Sequence, residues 1–372
     1  MAMIRCAAPC LLGLEGLVAQ ELRDMGAMDV EAENGRVFFS GDAQALARAN
    51  LNCRFAERIQ VVLGSFSART FDELFEGTKA LPWEEWIGRE DAFPVKGYSL
   101  HSKLFSVRDC QSIVKKAVVE RLKSAYHAAW FAETGPVHQI QFSLMKDTAC
   151  LLLDTSGVSL HKRGYRTQAN EAPLRETLAA AMCSLARLRE YHTLYDPMCG
   201  SGTILIEGAM MARRIAPGLG RNFAAERWEC LPRAVWEQER ERARSLVKKD
   251  APFQAYGADV DEGSLAIAQA NAQRAGVQSC IALRQADLRD FAPETEKGTL
   301  ICNPPYGERM LDIQQANDLY RVMGKKFDKK RGWSYYIISP SEQFETLFGR
   351  RADKRRKLYN GMLKCQFYMY FK

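Results

Sequence analysis

The chain has 372 residues, of which 47% are hydrophobic, 10% aromatic and 26% charged. That length predicts two or three domains, and that composition excludes a disordered, collagen-like or fibrous chain. The formal net charge is +7, and it is unevenly placed: residues 1–165 hold 19 Lys+Arg against 20 Asp+Glu, whereas residues 166–372 hold 33 against 25.

From the N-terminus, Ile4–Ala8 reads as a strand running into an amphipathic helix, not as a signal peptide, because Glu15 interrupts the apolar run. No stretch reaches the roughly 18 uninterrupted apolar residues of a membrane-spanning helix. Gly35–Phe39 reads as a strand after an Asn34-Gly35 turn, and Asp42 starts a helix. Phe71–Ala80 is predicted helical, Tyr98–His101 a strand, and Cys110–Ala125 a helix whose stripe is Ile113, Val114, Ala117, Val118 and Leu122. His138–Leu144 and Thr148–Asp154 complete a small α+β region. The polar segment Leu160–Pro173 reads as a linker, and Glu176–Glu190 as a helix.

From residue 193 the pattern becomes strand, turn, helix, repeated. Strands are expected at 193–195, 253–258, 281–285, 299–302 and 333–339, and alternation of this kind means a parallel, doubly wound α/β sheet. Residues 214–252 read as an insertion with a charged helix over about 233–249. The chain closes with 354–359, Asn360-Gly361 and 362–371, two antiparallel strands around a type I′ turn signal. The 11 cysteines are odd in number and irregularly spaced, with no CxxC pair, so they read as reduced thiols of a cytoplasmic protein. His101, His127, His138, His161 and His192 have no metal-ligand spacing, and no metal is expected.

Chemistry gathers at the strand ends. Asp196-Pro197-Met198-Cys199-Gly200-Ser201-Gly202-Thr203 follows a strand and opens a helix. Its glycines let a ligand approach the backbone, and it is neither GxGxxG nor a P-loop. Asp196 suits a cationic or hydroxyl-bearing ligand group. In Asp259-Val260-Asp261 the first acid suits both ribose hydroxyls and the last suits a helix cap. Asp287, before Leu288, suits an adenine amine. Asn303-Pro304-Pro305-Tyr306 ends the next strand. Its prolines halt strand pairing, and the Asn303 side-chain oxygen and Pro304 carbonyl suit the two hydrogens of an exocyclic amine. Tyr306 offers a face on which a base can stack. Trp228 and Trp236 in the insertion serve packing or line the site. Two basic runs, Lys325–Arg331 and Arg350–Lys357, and the stretch Lys96–Lys123 suit a polyanion.

The order DPMCGSGT, GADVD, QAD, NPPY resembles a class I S-adenosylmethionine-dependent methyltransferase acting on an amine. Leu160–Arg166, Glu176–Ala180, Asn303–Arg309, Ser106–Gln111 and Ile113–Ala117 extend the likeness over nearly the whole chain, to the THUMP-domain 23S rRNA guanine-N2 methyltransferase family. The resemblance implies a ferredoxin-like part over residues 1–45, a THUMP RNA-binding domain over 46–157 and a Rossmann-like methyltransferase domain over 158–372. It implies S-adenosyl-L-methionine as cofactor, held by Asp196, Pro197, Cys199, Gly200, Ser201, Gly202, Thr203, Asp259, Val260, Asp287 and Leu288. Asn303, Pro304, Pro305 and Tyr306 would be catalytic. Lys103, Arg108, Lys115, Lys116, Arg355 and Arg356 would meet RNA, as 23S rRNA or a pre-ribosomal particle, in a monomeric protein. The residues leave a tRNA guanine or an adenine N6 open as the target. A non-catalytic RNA-binding protein sits poorly with the four polar strand-end residues, and an oxidoreductase with the missing GxGxxG loop.

Overall fold

The computed structural model describes residues 3–166, 174–293, 295–307 and 310–371. They form two compact units: residues 1–10, 18–160 and 222–241 make the first, and residues 11–17, 161–221 and 242–372 the second. No helix among the described residues is long and apolar enough to cross a membrane.

The first unit is built from β1 (Ile4–Pro9), α1 (Glu15–Asp24), β2 (Met28–Glu33), β3 (Arg36–Gly41), α2 (Ala43–Asn52), β4 (Gln60–Ser67), α3 (Phe71–Lys79), β5 (Val95–Leu100), α4 (Val107–Tyr126), β6 (Gln139–Met145) and β7 (Thr148–Asp154). Its strands make one seven-stranded sheet in the order β2-β3-β1-β4-β7-β6-β5. Every pairing is antiparallel except β5 with β6, which α4 connects. The helices start where short polar side chains meet free N–H groups: Asp42 accepts from the Ala45 N–H, and Ser106 caps α4. Cys110, Val114, Ala117, Val118 and Leu122 of α4 are buried, the stripe its spacing predicts.

The second unit contains α5 (Glu176–Leu185), β8 (Thr193–Asp196), α6 (Thr203–Ala212), α7 (Arg233–Ser245, most of which belongs to the first unit), β9 (Gln254–Asp259), α8 (Glu262–Arg274), β10 (Ile281–Gln285), β11 (Gly298–Cys302), α9 (Met310–Lys326), β12 (Trp333–Ser339), α10 (Phe344–Phe348), β13 (Lys354–Asn360) and β14 (Leu363–Tyr370). The strand order is β10-β9-β8-β11-β12-β14-β13. The five strands β8–β12 run parallel, and β14 and β13 are antiparallel additions. After β8 the chain builds outward through β9 and β10, then returns to place β11 on the other side of β8. That reversal opens a crevice at the C-terminal ends of β8 and β11. An aromatic-rich core that includes Tyr320, Phe327, Trp333, Phe344 and Tyr368 lies beneath β11, β12 and β14.

Three expectations need correction. The insertion helix stops at Ser245, and residues 222–241 belong to the first unit. There Trp228 is buried, stacks on His138 at 4.3 Å and donates Nε1–H to the Val137 carbonyl at 3.1 Å. Trp236 stacks on Phe223 at 5.5 Å. Both tryptophans are core residues of that unit.

Residues 161–166 are no linker, and residues 167–173 of the expected linker lie outside the described residues. Arg163 and Tyr165 are buried, with Tyr165 Oη 3.0 Å from Glu207 Oε1 and Arg163 Nε 3.5 Å from the same oxygen. Polarity suggested solvent, but charges can be buried once each is paired. The terminal turn is also displaced. Asn360 pairs with Leu363, so the turn's central residues are Gly361 and Met362, and of these only Gly361 has a positive φ. Burial of Leu358 opposite Cys365 holds that register.

Candidate active site

The ends of β8, β9 and β11 and the loop after β10 converge on one cleft of about 950 Å³. Parallel strands make this possible, because their C-terminal ends all lie on one edge of the sheet. The cleft is lined by Asp196, Pro197, Cys199, Gly200, Ser201 and Thr203 from the first loop, and by Asp259 and Val260 from the second. Asp287 and Leu288 line it from the third, and Asn303, Pro304, Pro305 and Tyr306 from the fourth.

Gly202 does not line the cleft. It has φ +77°, and a Cβ there would sit 3.0 Å from the Ala268 Cβ. The glycine serves the close approach of α6 to α8 and the left-handed turn into α6. Reading glycines as ligand-approach residues could not separate that role from the one at Gly200.

Asp196 is fully buried. Its Oδ1 accepts from the Met198 N–H at 3.2 Å. Burial pushes its carboxyl up to about 8, the Met198 hydrogen bond opposes this, and the nearby Asp259 charge adds to it. Asp259 accepts from the Gly200 N–H at 2.8 Å and from the Asp261 N–H at 3.1 Å, which ties the two loops together. Asp261 caps α8 as its sequence position suggests. It accepts from Gly263 N, Ser264 N and Ser264 Oγ, and those bonds, the hydroxyl first, hold its carboxyl below the usual range. Val260 is 62% exposed at the lip, so it is available to cover a planar ring. Asp287 accepts from the Arg289 N–H and guanidinium, both at 2.7 Å, which leaves further lone pairs for an amine.

At the other end, the Tyr306 hydroxyl donates to Asn303 Oδ1, and Asn360 Nδ2 lies 3.4 Å from Tyr306 Oη. One lone pair of Oδ1 remains for a second donor. Burial raises the Tyr306 phenol well above its ordinary value, so it stays protonated. Gly307 follows with φ +72°, and a Cβ there would press on the Asp312 and Ile313 backbone at 2.6 Å. Glu308 and Arg309, which complete the motif, lie outside the described residues.

A polar layer supports the first loop. Arg166 Nη2 donates to Thr203 Oγ1 at 2.6 Å, Arg274 Nε to the Tyr165 carbonyl at 2.6 Å, and Asn271 Nδ2 to the Ser201 carbonyl at 3.1 Å. The sequence reading missed this layer, as it missed Met198, Ile204, Leu319 and the hairpin residues Asn360–Leu363, all of which line the cleft. The hairpin itself was legible in the sequence, but nothing local signals which loop it meets.

The basic residues differ in their availability. Lys103, Arg108 and Lys116 are exposed. Lys115 is half-buried: its Nζ bonds to Glu133 Oε1 at 2.6 Å and the Phe93 carbonyl at 3.1 Å, and burial lowers its pKa. Arg355 faces Glu345 at 3.4 Å, and Arg356 donates to the Gly13 carbonyl at 2.7 Å. Among the described residues no group of three or more His, Cys, Asp or Glu could hold a metal.

A doubly wound sheet of this order with an antiparallel terminal hairpin, and acids and an Asn-Pro-Pro-Tyr turn at its strand ends, defines a class I methyltransferase. A family model described as RMKL-like, methyltransferase domain matches residues 163–369, and the chain belongs to that family. The RlmL ferredoxin-like domain matches residues 5–60 and the THUMP domain residues 68–154. The chain is 44% identical to the Bacillus subtilis protein named "Putative RNA methyltransferase YpsC", over 97% of this chain and 94% of that protein. It is 33% identical to the Shewanella baltica ribosomal RNA large subunit methyltransferase K/L over 99% of this chain, and spans 53% of that longer protein. Among solved structures, a Listeria monocytogenes protein described as a "predicted N6-adenine-specific DNA methylase" superposes with TM-score 0.95 at 44% identity, covering 100% of this chain and 97% of that one. SMU.472, solved in complex with SAH, gives TM-score 0.95 at 41% identity, covering 100% and 98%.

Proposed function

We propose that the protein transfers the methyl group of S-adenosylmethionine to the exocyclic N2 of a guanine in large-subunit ribosomal RNA. One observation supports the reading: a single cleft has a buried carboxyl, with no cationic partner among the described residues, at one end and the Asn303-Pro304 acceptor pair at the other. The first end fits the cofactor. A cationic amino-acid moiety beside Asp196 would relieve the cost that burial imposes on its charge. Asp259 is exposed enough to take ribose hydroxyls while still anchoring Gly200, and Val260 and Asp287 would meet the adenine face and amine. Bound there, the cofactor supplies a methyl already activated on a sulfonium.

The chain's own task is then positioning. Asn303 Oδ1 and the Pro304 carbonyl would accept the two hydrogens of the target amine, turning its lone pair out of the ring plane toward the methyl. Alignment of this kind lowers a barrier by several kcal/mol. The target amine would take the methyl as the carbon–sulfur pair is left on sulfur, and its proton would pass to water without a strong base. Tyr306 is held by Asn303 and Asn360, and its ring would stack on the base drawn out of the RNA. The THUMP match and the names of the relatives support RNA as substrate. Lys103, Arg108 and Lys116 would contact phosphates. Lys115 and Arg356 are already committed to protein acceptors.

The same acceptor pair suits adenine N6, the position that the Listeria neighbour's description names. Incubation with methyl-labelled S-adenosylmethionine and unmodified rRNA or tRNA, followed by digestion, separates these targets. N2-methylguanosine from the large rRNA is expected. N6-methyladenosine, or label only in tRNA, overturns the target, and no label in any RNA overturns the reading.

A further inference from the structure

We infer that the tip of the terminal hairpin, with Met362 at its apex, is the wedge that enters the base stack beside the target nucleotide. The inference rests on the proposed transfer to RNA. The displaced register places Gly361 and Met362 at the centre of the turn, and Met362 is 99% exposed. A lone exposed apolar residue means little by itself. This one lies on the rim of the cleft that holds Asn303, Pro304, Pro305 and Tyr306, together with Leu363, 44% exposed, and exposed Pro305. The tip is tied to the catalytic turn, because Asn360 Nδ2 approaches Tyr306 Oη at 3.4 Å.

The occupant follows from chemistry. A base cannot reach Asn303 while stacked, and its removal leaves an apolar gap between its neighbours. Side chains that fill such gaps are apolar wedges, methionine among them. Methionine is unbranched, flexible and polarisable, so it fits against base faces of varied shape. The hairpin also matches a phosphate backbone: Lys357 and Lys364 are exposed on β13 and β14, and Lys357 lies 5.3 Å from the Tyr359 ring.

Because the Met362 side chain is almost wholly in water, its removal leaves the fold intact, and any loss of activity is functional. Met362→Ala, Met362→Leu and wild type are compared for methyl transfer to unmodified large-subunit rRNA at limiting and saturating RNA. Thermal melting and S-adenosylmethionine affinity are measured alongside. Met362→Ala should lower kcat/KM for RNA by about tenfold or more, a loss on the scale of lost base stacking, with melting and cofactor affinity unchanged. Met362→Leu should restore most of the activity. Wild-type kinetics in Met362→Ala overturn the wedge and leave the function standing, as does a Met362→Leu variant as impaired as Met362→Ala. No methyl transfer to RNA by the wild type overturns the function, and the wedge falls with it.

Discussion

The two seven-stranded sheets use their polar residues in opposite ways. In the second unit, parallel strands deliver Asp196, Asp259, Asp287 and Asn303 to one edge, where they line a shared cleft. In the first, antiparallel pairing everywhere except between β5 and β6 sends successive strand ends to opposite edges, and several buried polar groups are held by internal partners. Glu239 takes both nitrogens of the Arg48 fork at 2.7 and 2.9 Å, Asn50 donates to Thr155 at 2.9 Å, and Asp154 pairs with Arg58. Strand direction thus decides whether polar side chains pool into a site or disperse into a scaffold. A buried carboxyl with no cation beside it among the described residues, such as Asp196, is the mark of the first kind.

Substitutions should separate the two regions cleanly. The largest effect belongs to the scaffold: Trp228→Ala removes the ring from His138 and should cost about 3–5 kcal/mol in denaturant unfolding. Cofactor affinity measured by calorimetry in native buffer should stay at the wild-type value. A fall in that affinity would break the contrast. Asn303→Ala is its mirror image. Turnover should drop about 100-fold or more while melting and cofactor binding hold, and near-normal turnover removes Asn303 from the mechanism.

Asp196 sharpens the contrast through pH. Its folded pKa, about 8, lies above the ordinary 3.8. The folded protein therefore keeps a proton that the unfolded chain has lost. The stability this contributes is full below about pH 4 and declines as pH rises toward 8. A cationic ligand favours the ionised form, so cofactor affinity should rise over the upper part of the same window, by up to about tenfold per pH unit, and level off above pH 8. Asp196→Asn should flatten both profiles, and a flat wild-type profile would contradict the assignment. Asp259→Ala should weaken cofactor binding about tenfold, through the lost ribose acceptor and the released Gly200 N–H. Unchanged affinity would move the ribose role to Asp261. The smallest effect is expected from Lys103→Ala with Arg108→Ala: a few-fold loss of RNA affinity and a shallower salt dependence, both absent if another face binds RNA.

The sequence made the second unit more legible than the first. Its alternation of strand, turn and helix is a local signal, and a residue at the end of a parallel strand announces its own position. Asp196, Asp259 and Asn303 could be placed for that reason, and Asp261 recognised as a cap. Whatever depends on distant partners was hidden. Met28–Glu33, half of it acidic, becomes the edge strand β2 only because β3 lies beside it. Arg163 and Tyr165 read as part of a polar linker because Glu207, which they meet, lies more than 40 residues away. Lys115 carries charge suited to RNA, yet Glu133 and the Phe93 carbonyl already hold it.

The excursion of residues 222–241 into the first unit bears on how the protein is made. A ribosome delivers the chain from its N-terminus, and domains ordinarily fold in that order as they emerge. Here the front unit lacks the ring that covers His138 and the carboxylate that neutralises Arg48 until Glu239 has been synthesised. By then β8 and α6 have already emerged. The first unit is therefore completed only after part of the second has been made, and a fragment ending near Leu160 lacks both of these contacts.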